Sequence, residues 1–140
     1  VGVVLKFETR QACEKQPRIL LTTLRSPPVG VIVARRDLAV EVGFERLSEL
    51  QEEILRHCES PHRQVIWATQ MLEGLAKRGA PSRAEITDAA ASSRAECAML
   101  NKGPHIVETV HFLSGILSRM DTHLVKRKAM LRRLAVSDLR

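Results

Sequence analysis

The sequence has no tyrosine, and phenylalanine and tryptophan together make up only 3% of its 140 residues. Modules that bind nucleic acid by stacking bases on aromatic rings are therefore not indicated, although the net charge is +6. The basic residues are scattered along the chain except near its end, which is typical of a solvated surface. We therefore predict no nucleic-acid partner. The apolar residues suit a helix-rich α/β core built from Leu, Ile, Val and Ala.

Long apolar runs are also missing, since no stretch approaches the roughly 20 residues that a membrane-spanning helix needs. Cysteine is scarce: Cys13, Cys58 and Cys97 are odd in number, and no two of them share the C-x-x-C spacing. The simplest interpretation is a reduced, cytoplasmic compartment in which the thiols act as small apolar side chains. We therefore predict no membrane partner.

Four short apolar segments recur along the chain, each ending in polar or charged residues. Counted between Val3, Val31, Val65 and Cys97, their spacings are 28, 34 and 32 residues, which is the length of one strand-plus-helix unit. Alternating units of this length predict a parallel sheet with right-handed crossovers. The predicted fold class is therefore α/β, with four consecutive βα units that make half of a TIM (β/α)8 barrel.

Periodicity and capping signals place the elements within these units. Strands are predicted at Val3–Phe7, Val29–Ala34, Val65–Ala68 and Cys97–Leu100, the first of them buried on both faces. The clearest helix runs from about Phe44 to Cys58, with apolar residues at three- and four-residue steps. Ser82, with Glu85 three residues later, predicts a capping box at the start of a further helix.

We interpret residues 1–120 as a partial barrel domain and residues 121–140 as a basic C-terminal helix or tail. The last helix of the barrel is predicted from about His105 to Met120, and basic residues cluster beyond it. The chain starts at Val1 and enters a strand at once, so we expect a fragment whose missing units lie upstream. Half a barrel leaves two outer strands unpaired, which predicts self-association or aggregation of the isolated fragment.

Polar residues fall where the predicted strands end, which is the edge that carries function in βα units. Glu8 and Asp37 follow neighbouring strands, and two carboxylates completed by water and substrate oxygens are a usual way to hold Mg²⁺ or Mn²⁺. Lys6 shares a strand face with Glu8, so its ammonium is suited to neutralising a phosphoryl group in transfer. Thr69 offers a hydroxyl for hydrogen bonding or proton passage.

Several segments resemble the pyruvate kinase family. Leu5–Glu8 resembles the family's strand with the Lys-Ile-Glu motif, and Val33–Glu41 resembles its Val-Ala-Arg-Gly-Asp-Leu-Gly-Val-Glu motif. Ala68–Glu73 is the family's Ala-Thr-Gln-Met-Leu-Glu motif without a change, and Pro81–Glu85 followed by Asp88 is similar to Pro-Thr/Ser-Arg-Ala-Glu-x-x-Asp. Their order and spacing resemble the C-terminal half of the catalytic barrel, strands and helices 5 to 8.

The resemblance implies phosphoryl transfer between phosphoenolpyruvate and ADP, the step of glycolysis that gives pyruvate and ATP. It implies that Lys6 stabilises the migrating phosphoryl group and that Glu8 and Asp37 hold Mg²⁺ or Mn²⁺. It places Thr69 near the carbon that is protonated, and it implies that Arg36 binds substrate together with Lys6, Asp37 and Thr69. It further implies a cytoplasmic homo-oligomer, the rest of the parent chain as a partner, and K⁺ in the full-length enzyme, with K⁺ ligands outside these residues.

Two departures from the family pattern keep other interpretations open. Arg36 stands where the family has Gly, and we expect its guanidinium to pair with the adjacent Asp37 and to compete with the metal. Asn101–Pro104 replaces Ser-Gly-Glu-Thr, which removes a hydroxyl and a carboxylate. The alternative is therefore a non-catalytic pyruvate-kinase-like module for assembly or ligand sensing. A third interpretation is a metal-dependent barrel enzyme such as a class II aldolase, which the unchanged Ala68–Glu73 segment disfavours. The isolated fragment is expected to be inactive.

Overall fold

The computed structural model describes residues 2–25, 28–59 and 61–129, with side chains as far as His123. Four parallel strands form one sheet in the order β1-β2-β3-β4. They are β1 (Val3–Phe7), β2 (Val29–Ala34), β3 (Val65–Met71) and β4 (Cys97–Leu100). The helices are α1 (Arg10–Glu14), α2 (Gln16–Thr23), α3 (Arg35–Val42), α4 (Leu47–Glu59), α5 (Glu73–Arg78), α6 (Arg83–Ala91) and α7 (Ile106–Ala129). The predicted α/β fold of four consecutive βα units, a partial barrel, is confirmed.

Each strand pairs in parallel with its neighbour in sequence, so that all four carboxyl ends lie along one edge of the sheet. Val3 lies opposite Val29, Val31 opposite Val65, and Ile66 opposite Cys97. The core forms where the outer face of the sheet meets the helices. Its buried members include Val31, Val33, Leu38, Ile54, Trp67 and Leu113. This packing fixes the strand ends relative to one another and so positions the site described below.

Strand β1 is less buried than its sequence predicts. Val3 and Val4 are 46% and 52% exposed, and only Phe7 of this strand is buried. Among the described residues, β1 has one strand neighbour, β2. Val4 lies on the face that a closed barrel fills with side chains, which is open in a four-stranded sheet. Val3 lies on the opposite face, and its exposure reflects the position of β1 at the edge of the described sheet.

Two helices differ from their predictions. Helix α3 follows β2 directly, where no helix was predicted because three polar residues in a row hide its short apolar stripe of Leu38, Ala39 and Val42. Helix α7 continues past Met120 to Ala129 without a break. Residues 130–140 of the predicted basic tail lie outside the described residues, and the domain boundary at 120 stays a prediction.

None of the helices in the described part of the chain is both long enough and apolar enough to cross a membrane.

The capping box predicted at Ser82 is present at the start of α6. Ser82 Oγ accepts a hydrogen bond from the Glu85 N–H at 3.2 Å, and the Glu85 carboxylate accepts one from the Ser82 N–H at 2.8 Å. The same carboxylate also accepts the N–H of Gly74. Because Gly74 belongs to α5, the box ties two consecutive helices together at the edge next to the end of β3.

Replacing Ser82 with Ala removes the acceptor for the Glu85 N–H. We expect the free energy of unfolding to fall by about 1 kcal/mol, the usual cost of losing a helix N-cap. Urea denaturation followed by circular dichroism measures it. Ser118→Ala, at an exposed position within α7, is the control and should not lower stability because Ala favours helix. Equal losses in the two variants would contradict a contribution from the cap.

Candidate active site

The ends of β1 and β2 bring one ammonium group and two carboxylates together. Lys6 lies in β1 and Glu8 directly follows it, so both side chains leave the strand on one face, and the Lys6 Nζ forms a salt bridge with the Glu8 carboxylate. Asp37 lies in the first turn of α3, and its Oδ2 is 3.4 Å from Lys6 Nζ. The structure therefore brings three of the sequence-predicted site residues, Lys6, Glu8 and Asp37, into one cluster.

This cluster is open to solvent, and its one ammonium faces two carboxylates. The side chains of Lys6, Glu8 and Asp37 are between 40% and 49% exposed. The hydrogen bond to Glu8 is the main reason that the pKa of Lys6 is raised above its usual value, and the hydrogen bond to Asp37 adds to the effect. Lys6 therefore stays cationic at neutral pH, which suits it to attract anionic groups.

Thr69 lies near the end of β3, where the backbone has a left-handed conformation that residues other than glycine rarely adopt. Thr69 and Gln70 have φ angles of 66° and 56°, and Leu72 has 45°. The pairing of β3 with β4 is irregular between Trp67 and Met71, as expected where extra backbone bulges from a strand. Such left-handed conformations cost on the order of 1–3 kcal/mol each for residues other than glycine. Backbone held in this way at a strand end indicates a functional constraint.

The Thr69 hydroxyl is linked to the start of α3. Thr69 Oγ1 accepts a hydrogen bond from the Arg36 backbone N–H at 3.1 Å. The N-cap residue of α3, Ala34, has no side chain that could cap the helix, so Thr69 caps the Arg36 N–H in its place. Helix N-termini attract anions through their remaining N–H groups and their dipole. The end of β3 and the start of α3 thus form one polar edge beside Asp37.

Arg36 does not take the position expected from its sequence. Among the described residues, Asp37 forms a salt bridge with Lys6 and none with Arg36. The side chain of Arg36 is exposed, and it lines a groove of about 490 Å³ together with Glu8, Asp37 and Glu41. A hydrogen bond from Lys77 is the main cause that lowers the pKa of Glu73, and the charge of Arg36 contributes. Arg36 also lines a neighbouring groove with Thr69 and Gln70. It does not take the expected place on Asp37 because the Lys6 ammonium holds that carboxylate instead.

Arg35, which the sequence did not single out, is the buried arginine of this pair. It is 8% exposed. It donates hydrogen bonds from Nε to the Ala68 carbonyl at 2.9 Å and from Nη2 to the Thr69 carbonyl at 2.6 Å. Its Nη1 forms a salt bridge with Asp88, and its Cζ lies 4.8 Å from the centre of the Trp67 ring. The Trp67 Nε1–H also donates to Asp88 at 3.3 Å. Arg35, Thr69 and Asp88 lie in segments that resemble family motifs, but neither spacing nor periodicity indicates that they meet, because they come from three separate elements.

The carboxylate pair fits a divalent cation that completes its coordination elsewhere. The described residues contain no group of three or more His, Cys, Asp or Glu side chains placed to hold a metal. Glu8 and Asp37 nevertheless share one cation, the Lys6 ammonium, so their negative charge is directed at a common point. Mg²⁺ commonly binds one or two carboxylates and takes its remaining ligands from water and substrate phosphates.

Comparisons with known proteins agree with this architecture. The family model described as "Pyruvate kinase, barrel domain" matches residues 1–105. Plastidial pyruvate kinase 3 of Arabidopsis thaliana is 33% identical over 96% of this chain and 24% of its own length. Pyruvate kinase of Thermotoga maritima is 32% identical over 89% of this chain and 27% of its own length.

A solved structure shows the same similarity in three dimensions. The crystal structure of a pyruvate kinase from Cryptosporidium parvum superposes with a TM-score of 0.76 at 28% identity, covering 85% of this chain and 24% of that one. This chain therefore spans about a quarter of the length of the relatives that it matches.

Proposed function

The chain belongs to the pyruvate kinase family, and from that premise we propose that it supplies part of the active site for phosphoryl transfer between phosphoenolpyruvate and ADP. The observation that carries this proposal is the convergence of Lys6 on Glu8 and Asp37 at the carboxyl edge of the sheet. The chain covers about a quarter of its relatives, so the reaction is proposed for a complete barrel that contains these residues. The isolated 140 residues are expected to be inactive.

The reaction needs a positive charge where the phosphoryl group moves. The bond between phosphorus and the enol oxygen of phosphoenolpyruvate breaks, and a new bond forms to a terminal phosphate oxygen of ADP. Lys6 is the group we assign to stabilise the phosphoryl charge during this transfer, because its ammonium is held cationic and reachable at the edge of the site. A cation that is fixed before the reaction lowers the barrier without reorganisation at the moment of transfer.

The remaining enolate must then take up a proton at its methylene carbon to give pyruvate. We assign Thr69 to this step, passing the proton through water, because its hydroxyl is held at the same edge by the Arg36 N–H. The start of α3 is assigned to the substrate carboxylate, since N–H groups at a helix start favour anions. Arg36 adds a second, exposed positive charge beside Lys6.

The proposal includes the cofactors that the family implies. Glu8 and Asp37 would hold Mg²⁺ or Mn²⁺, which, when bound, supplies positive charge to the substrate oxygens. Potassium dependence is proposed for the complete barrel, with its ligands supplied by other segments. A cytoplasmic location and assembly into a homo-oligomer are likewise proposals; the three cysteines are unpaired, which favours a reducing compartment.

A chimaera tests the proposal. In it, this chain replaces the matching quarter of the Thermotoga maritima pyruvate kinase, which is 32% identical. We expect the chimaera, and not the isolated chain, to form pyruvate from phosphoenolpyruvate and ADP in a Mg²⁺-dependent manner. Glu8→Gln should raise the Mg²⁺ concentration needed for half-maximal rate, while Glu14→Gln, at an exposed position of α1, should not. A folded chimaera that binds phosphoenolpyruvate without turnover would instead favour the non-catalytic, ligand-sensing module.

Replacing Arg36 with Gly in the chimaera tests the assignment of this residue to substrate binding. Arg36 lines the groove, and Asp37 forms its salt bridge with Lys6 instead. The charge of Arg36 should therefore attract substrate and transition state to a similar extent. Such uniform attraction changes KM and leaves kcat nearly constant. We expect the KM for phosphoenolpyruvate to rise about fivefold, equivalent to about 1 kcal/mol for an exposed charge pair. A rise in kcat with a tighter response to Mg²⁺ would mean instead that Arg36 competes for Asp37 in solution.

A further inference from the structure

The turn at the end of β3 is maintained by something other than its own residues. Thr69 and Gln70 both have positive φ angles, and neither is a glycine, so their conformations are disfavoured locally. The side chain of Thr69 is branched at Cβ, which makes this backbone region still less favourable. Contacts with the surrounding structure must therefore hold the turn in this conformation.

Arg35 contacts the backbone on the amino-terminal side of that turn in two places. Its Nε and Nη2 donate to the consecutive carbonyls of Ala68 and Thr69, at 2.9 and 2.6 Å. Two consecutive carbonyls facing one guanidinium cannot adopt the alternating directions of a regular strand, in which successive groups point to opposite sides. The two hydrogen bonds from the Arg35 guanidinium therefore stabilise the irregular backbone that leads into Thr69 and Gln70.

The guanidinium is itself held by two other elements. Asp88 of α6 neutralises its charge through Nη1, and the Trp67 ring covers one of its faces at 4.8 Å. The Trp67 Nε1–H donates to the same Asp88 carboxylate, which fixes the carboxylate as well. A buried charge is tolerable only with such pairing, and the planar, multiply donating arginine fits this arrangement where lysine, a point charge, does not.

We propose that Arg35 is a positioning residue, which, locked by Asp88 and Trp67, holds the Thr69–Gln70 turn in its left-handed conformation and so keeps the Thr69 hydroxyl at the candidate active site. The catalytic consequence rests on the proposed function, whereas the effect on the turn does not. Arg35 acts through Thr69, since its own nitrogens are engaged with Ala68, Thr69 and Asp88.

Hydrogen exchange of the 140-residue chain, followed by mass spectrometry, tests the positioning directly. Arg35→Lys keeps the charge and removes the fork, and Trp67→Phe keeps an aromatic ring and removes the Nε1–H. We expect each to speed exchange across residues 69–72 by about tenfold, the effect of losing a hydrogen bond to a charged group. Exchange in α4 should not change. Arg18→Lys, at an exposed position of α2, is the matched control and should leave both regions unchanged.

Two exchange results would overturn the proposal. Unchanged exchange across residues 69–72 in both variants would mean that the turn holds without Arg35. Exchange that accelerates equally in α4 would mean that Arg35 stabilises the fold as a whole and does not position the turn.

The same variants in the chimaera test the consequence for catalysis. A displaced Thr69 should lower kcat by about 100-fold, while the KM for ADP stays constant because the Thr69 turn is assigned to proton transfer. Altered exchange with unchanged kcat would overturn the link to the active site. An unsubstituted chimaera that is inactive would count against the proposed function alone, because the exchange experiment still decides what Arg35 does to the turn.

Discussion

Substituting Lys6 with Met in the chimaera is expected to lower kcat by about 1000-fold, the upper range for removing one group that stabilises charge in a transition state. Methionine has a similar length and no charge, so the substitution removes the ammonium while filling its space. The fold should tolerate it because the Lys6 side chain is 49% exposed. A coupled assay of pyruvate formation measures kcat, and circular dichroism verifies the fold.

The same variant makes a second, opposite prediction about Mg²⁺. The Lys6 ammonium is shared by Glu8 and Asp37, so its removal leaves both carboxylates without their cation. We expect Mg²⁺ to bind at least as tightly as before, although turnover is lost. Lys15→Met, an exposed lysine between α1 and α2, is the control and should leave kcat and Mg²⁺ affinity unchanged. A loss of kcat smaller than about tenfold would contradict a role for Lys6 in the transfer step.

The strands could be predicted from the sequence because each apolar run has distinct ends. β2 and β4 have the predicted bounds, from Val29 to Ala34 and from Cys97 to Leu100. β3 was predicted to end at Ala68, since Thr69 and Gln70 are polar, yet it continues to Met71. The continuation depends on left-handed backbone held by a distant arginine, and such a tertiary constraint has no local signature in the sequence.

The site was predictable to the extent that it depends on strand alternation. Lys6 and Glu8 are two residues apart on a strand, which places them on one face whatever surrounds them. The position of Asp37 depends on α3, whose start decides which of the two adjacent arginines is buried. The sequence led us to expect Arg36 on Asp37, whereas Lys6 takes that place and Arg35 enters the interior. The rotation of α3 about its axis determines which of the two arginines is buried, and the packing of Leu38 and Val42 sets that rotation.

The loop after β4 is held against α5 through a glycine. A Cβ added to Gly103 would lie 2.1 Å from the Ala76 carbonyl oxygen and 2.6 Å from its carbon. That oxygen accepts the N–H of His105 at 3.0 Å, just before α7 begins. The close approach of the two backbones therefore joins the start of α7 to the end of α5, and no side chain larger than hydrogen fits between them.

Gly103→Ala is accordingly expected to lower the free energy of unfolding by about 3 kcal/mol, combining overpacking with the loss of a hydrogen bond. The backbone of α5 cannot give way as a flexible side chain would, so the loop must move and release the His105 N–H. Urea denaturation followed by circular dichroism measures the loss. Gly115→Ala, within α7, is the matched control: its Cβ would meet only the end of the exposed Arg119 side chain, at 3.2 Å, and Ala favours helix over Gly by about 1 kcal/mol. The control should therefore be as stable as the unsubstituted chain or more stable. If both variants unfolded at the same urea concentration, the loop after β4 would not be closed onto Ala76 in solution.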